Sequence, residues 1–80
     1  MKMRITKNSA WIGENGNPGY EYQFQTNTPF GEREYMIYQD VVNDKWFGEI
    51  VDSDGWHDLD PAELTRFVAI IKDTVAKGEL

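Results

Sequence analysis

Apolar and polar residues alternate most strictly over Tyr20-Glu21-Tyr22-Gln23-Phe24-Gln25, aromatic on one parity and polar on the other. That period of two belongs to a strand with one buried face. Glu34-Tyr35-Met36-Ile37-Tyr38-Gln39 and Trp46-Phe47-Gly48-Glu49-Ile50-Val51 place apolar side chains on both parities, so neither face of those strands is purely polar. A further strand is expected near Met3–Ile5, continuing toward Trp11–Ile12. Turn-forming residues separate these runs: Asn15-Gly16-Asn17-Pro18-Gly19, then Asn27-Thr28-Pro29-Phe30-Gly31, then Asn43-Asp44. Connections this short pair consecutive strands antiparallel.

After Asp60 the period changes. Leu64, Phe67, Val68, Ile71 and Val75 recur at helical spacing, with Arg66, Asp73 and Lys77 opposite and Ile70 widening the stripe on one flank. Asp60-Pro61-Ala62-Glu63 reads as an N-cap, a proline at the first helical position and the acid of a capping box. The Asp60 carboxylate is expected to accept first-turn N–H groups. Lys72 and Lys77 suit the C-terminal end and Gly78 is a natural stop, which predicts a helix over 61–77. The expected fold is α+β: a single domain over 1–80, a four-stranded antiparallel meander with one C-terminal helix packed on one face (ββββα).

Composition agrees with a strand-rich fold. Val and Ile number 11 and aromatics another 11, against 3 Leu. No run approaches the roughly 18 apolar residues of a membrane-spanning helix. Met1-Lys2-Met3-Arg4-Ile5 is followed by polar residues rather than the apolar core of a secretory signal. A cytoplasmic protein without membrane attachment is therefore expected. With no cysteine, disulfides, thiolate nucleophiles and cysteine-based zinc sites are excluded. Eighty residues bury a modest core and leave little material for a deep cleft, which favours a binding module, inhibitor or subunit over an enzyme. Dimerisation would add buried area.

The formal charge of −6 is unevenly placed. From Asp40 to Glu63 there are eight acids (Asp40, Asp44, Glu49, Asp52, Asp54, Asp58, Asp60 and Glu63) and one base, Lys45, so the segment carries −7 and the rest of the chain +1. Some of these acids serve turns and caps; the remainder form an anionic surface suited to a basic partner. The same acidity argues against direct nucleic-acid binding, since phosphates need Lys and Arg.

One helix covers one sheet face. With Tyr20, Tyr22, Phe24, Tyr35, Ile37, Trp46 and Ile50 under it, Met36, Tyr38, Phe47 and Val51 face away. Either a loop carrying Trp11 or Trp56 folds over them, or they form a partner or self-association patch.

Catalytic and metal chemistry find little support. His57 is the sole histidine, and Ser53, His57 and Asp58 lie too close on one segment for a triad built from separated elements. Asp52-Ser53-Asp54-Gly55-Trp56-His57-Asp58-Leu59-Asp60 suggests calcium, yet its glycine is fourth where an EF-hand loop needs it sixth. Gly13, Gly16 and Gly19 sit among Asn and Pro, which is turn chemistry rather than a phosphate loop. No catalytic residue, cofactor or metal ligand is assigned.

The reading that results is a non-enzymatic protein-binding domain. Its most concrete form is a small acidic inhibitor occupying a basic, nucleic-acid-binding surface of a larger complex, as phage-type anti-defence proteins such as anti-CRISPRs do. Asp44, Glu49, Asp52, Asp54 and Asp58 are the expected charge contacts, with Tyr38, Phe47 and Trp56 as anchors. The alternatives are a homodimer using the aromatic sheet face, or a single-strand-binding domain. The latter rests on architecture alone, which resembles small single-strand-binding domains of the transcriptional-coactivator kind.

Overall fold

A computed structural model describes residues 2–28 and 31–80; Pro29 and Phe30, in the turn expected between the second and third strands, lie outside the described residues. The architecture is an antiparallel sheet with one C-terminal helix, and the sheet has five strands rather than four. These are β1 (Lys2–Asn8), β2 (Gly19–Thr28), β3 (Gly31–Asp40), β4 (Lys45–Asp52) and β5 (Gly55–Asp58), followed by α1 (Pro61–Ala76). Each strand pairs with its chain neighbour, giving the order β1-β2-β3-β4-β5.

The added strand comes from a stretch that reads as loop. Asp52 pairs with Gly55, so Ser53 and Asp54 form a two-residue turn. Asp52 Oδ1 accepts the Asp54 N–H at 2.8 Å, and Gly55 takes φ 112°, a conformation other residues rarely adopt. The four residues that follow are short and carry charge, which hides their strand character from periodicity.

The strand expected to run on toward Trp11–Ile12 stops at Asn8, whose side chain accepts the Ala10 N–H at 3.0 Å and turns the chain. Residues 9–18 instead form a finger. Gly13 N–H donates to Asn17 O at 2.9 Å, Ile12 bridges Pro18, and Gly16 turns the tip at φ 82°.

Register decides which parity is buried. Phe24 lies opposite Ile5 and Tyr35, Tyr22 opposite Ile37, and Ile37 opposite Gly48. Tyr22, Phe24 and Ile37 form the core with Leu59 and Ile71, and Ile5, Tyr20, Tyr35, Trp46, Ile50, Leu64, Phe67, Val68, Ile70 and Leu80 pack around it. Phe67 anchors α1 by an edge contact on Phe24, ring centroids 4.8 Å apart, and lies 4.6 Å from the Tyr35 ring. Gly48 leaves room for Leu59 and Leu64: a Cβ there would stand 2.8 Å from one and 3.0 Å from the other.

The helix ends one residue earlier than expected, on a Schellman motif. Gly78, at φ 74°, donates to Val75 O, and Glu79 donates to Thr74 O. Two expectations for α1 are corrected. Asp60 occupies the N-cap position but its carboxylate makes no capping hydrogen bond; its carbonyl accepts the Leu64 N–H at 2.9 Å. Pro61, at the first helical position, has no N–H of its own and so leaves one fewer free donor in the first turn. Val75, counted on the apolar stripe, is exposed, because the sheet beneath α1 is met by Ile70 and Ile71 instead.

Candidate functional site

The sheet face opposite α1 carries the other parity of every strand: Arg4 and Thr6 of β1, Glu21 and Gln23 of β2, Glu34, Met36 and Tyr38 of β3, Lys45, Phe47, Glu49 and Val51 of β4, Trp56 and Asp58 of β5. The finger covers one end of it. Trp11 lies against Tyr38 with ring centroids 5.2 Å apart and planes tilted by 31°. Gly19 makes this possible, since a Cβ on it would stand 2.9 Å from the Trp11 ring and collide with the Gln39 carbonyl oxygen. Met36, in the middle of the face, is buried, while Phe47 is 48% and Trp56 62% exposed. A groove lined by Trp11, Glu14, Glu21, Tyr38, Phe47 and Glu49 runs from the finger to Asp58, and its lining extends to Leu59 and Leu64 beside α1.

Carboxylates surround these aromatics. Glu21, Tyr38 and Phe47 form one row across three strands, and Glu49 stands directly opposite Asp58 in the next pairing. Partial burial raises the Tyr38 phenol above its ordinary 10.0, and the negative charges of Glu49 and Glu21 push it further the same way. Among the described residues Lys77 forms an ion pair with Asp73 and the His57 ring lies 3.4 Å from Asp52; neither contact involves an acid of this face. Lysines of the chain lie over aromatics of the covered face instead, Lys7 over Tyr20 at 4.3 Å and Lys72 over Trp46 at 6.0 Å.

Of the eight residues expected to bind a partner, five gather here: Tyr38, Phe47, Glu49, Trp56 and Asp58. Asp44 does not join them. It sits in the β3–β4 turn at φ 52°, one β4 length away from the Asp52–Asp54 turn, about 25 Å at the usual strand rise. Asp52 belongs to the covered parity, where its carboxylate holds the turn and lies 3.4 Å from His57 Nε2. The stretch that is continuous in sequence is therefore divided between an open face and two opposite hairpin ends. His57 and Asp58, as strand neighbours, point to opposite faces and assemble no couple with Ser53. Among the described residues no group of three or more His, Asp or Glu side chains could hold a metal ion.

Asp40, counted with the acidic stretch, has another role. It is 4% exposed. Oδ1 accepts the N–H groups of Val42 and Asn43 at 3.0 and 3.1 Å, and Oδ2 accepts the Asn43 amide at 3.0 Å and those of Asn15 and Asn17 at 3.4 Å. The Asn43 amide above all, with the other donors, lowers its carboxyl to about 2. Asp40 thus ties the finger to the β3–β4 turn and fixes Trp11 over Tyr38. Sequence reasoning named Trp11 as one residue whose loop could cover this face, as it does, and missed Glu21 and Glu14 as members of the site. The clue for Glu21 was present, since it alternates with Tyr20 and Tyr22 and so shares a face with the outward residues of β3. Compared with protein-family models, curated proteins and solved structures, the chain matches none.

Proposed function

We propose that this chain is a non-enzymatic protein-binding domain whose open sheet face docks on a basic surface of a larger complex. Its concrete form is a small acidic inhibitor that occupies a nucleic-acid-binding surface in the cytoplasm, in the manner of phage-type, anti-CRISPR-like anti-defence proteins. One observation carries the reading: half-exposed aromatic anchors share a face with carboxylates that no described cation of the chain neutralises. Aromatic anchors inside a charged rim are what specific interfaces use, and the sign of the rim selects a basic partner.

The same observation weighs against the two alternatives. A two-fold homodimer through this face would set the patch against itself, acids included. A single-strand-binding surface needs cations beside its stacking rings, and here the carboxylates Glu21, Glu34, Glu49 and Asp58 outnumber Arg4 and Lys45. No helix among the described residues is long and apolar enough to cross a membrane.

The test is capture of proteins on the immobilised chain, followed by elution with rising salt and, separately, with duplex DNA. The expected outcome is a basic protein released by both. Retention that is indifferent to salt and to DNA, or retention of the nucleic acid itself, contradicts the reading.

A further inference from the structure

The finger groove holds a combination found nowhere else among the described residues. Trp11 and Tyr38 lie ring against ring, Glu21 and Phe47 stand on either side of Tyr38 in its row, and Glu49 is the next outward residue after Phe47 on β4. Like charges placed directly opposite in a sheet ladder are destabilising, and Glu49 faces Asp58 in that way. Such a cost is offset when a cation enters between them. The chain's own lysine–aromatic contacts are on the other side of the sheet. Lys45 and Arg4, which share this side, form no ion pair with Glu21, Glu49 or Asp58, which leaves these carboxylates to a cation from outside.

We infer that this groove receives an arginine side chain of the protein partner, its guanidinium stacked against the Trp11–Tyr38–Phe47 aromatics and paired with Glu21 and Glu49. The inference rests on the open face being the partner surface and adds the chemistry of the residue it takes. Arginine suits the site better than lysine for two reasons. Its planar, weakly hydrated head stacks on aromatic faces, and its fork of donors matches carboxylates two at a time. A lysine ammonium, compact and strongly hydrated, would keep the charge contact and lose the stacking.

Titration of the isotopically labelled chain with hexa-arginine and with hexa-lysine, followed by NMR, tests this. Hexa-arginine is expected to move the Trp11 indole N–H and the Tyr38 ring signals and to bind at least about fivefold more tightly than hexa-lysine. Glu21→Gln combined with Glu49→Gln should weaken hexa-arginine by about tenfold or more, while Asp54→Asn changes it less than about twofold. The variants' own spectra report that the fold is kept. Equal binding of the two peptides, shifts centred on the Asp52–Asp54 turn, or no binding of hexa-arginine at millimolar concentration overturns the arginine site. Those results leave the capture experiment free to stand or fall by itself, so the two failures are distinguishable.

Discussion

Asp40 and Glu49 are both acids of the β3–β4 hairpin, and they do opposite work. The Asp40 carboxylate is enclosed by five donors, while Glu49 is only partly buried and pairs with no described cation. A carboxyl held at about 2 in the folded chain against an ordinary 3.8 favours folding above the higher value. That contribution is lost as pH falls from 3.8 through about 2. Thermal melting of Asp40→Asn should therefore show a lower midpoint than the natural chain at neutral pH, with the gap closing toward pH 2. A gap that is constant over this range would contradict the role given to Asp40. This difference between neighbouring acids could not be read from the letters, because the Asn15 and Asn17 partners lie more than twenty residues away.

The elements whose side chains repeat at a fixed period were legible, and those built on single turns were not. The Tyr20–Gln25 alternation and the Leu64–Ile71 stripe each meet the core on the expected side, since one buried face fixes every second or every third to fourth residue. β5 escaped because four residues give no period to read, and only Gly55 in its turn carried a signal. Val75 shows the limit of a stripe drawn without its partner surface: helix spacing places it on line, but it is exposed and takes no part in the core. Two substitutions separate these cases. Ile71→Ala should cost about 2–5 kcal/mol by emptying the core, whereas Val75→Ala should stay within about 0.5 kcal/mol. Denaturant unfolding measures both, and equal costs would mean that α1 sits on the sheet in another rotation. Gly48→Val should cost about 1–3 kcal/mol by overpacking against Leu59 and Leu64; a neutral result would show a looser α1 contact than the 3.0 Å approach to Leu64 implies.

Across the whole molecule seven of the fourteen acids behind the charge of −6 fall in three places. The β3–β4 turn carries Asp44, the β4–β5 turn carries Asp52 and Asp54, and the open face carries Glu21, Glu34, Glu49 and Asp58. Only the last shares its surface with exposed aromatic rings, so only there do charge steering and apolar burial act on the same partner. The acidity concentrated between Asp40 and Glu63 was legible in the sequence as a total. Its division was not, because it depends on strand parity and on a fifth strand that turns Asp58 outward. If the face works as one surface, acids on it and acids at the turns must differ in consequence despite equal charge. The direct measurement is the quantity of protein captured from lysate by the natural chain, by Glu49→Lys and by Asp54→Lys, compared at one salt concentration by quantitative mass spectrometry. Loss of the captured partner with Glu49→Lys and its retention with Asp54→Lys is the predicted result. Equal loss with both, or loss with Asp54→Lys alone, would contradict the open face as the binding surface.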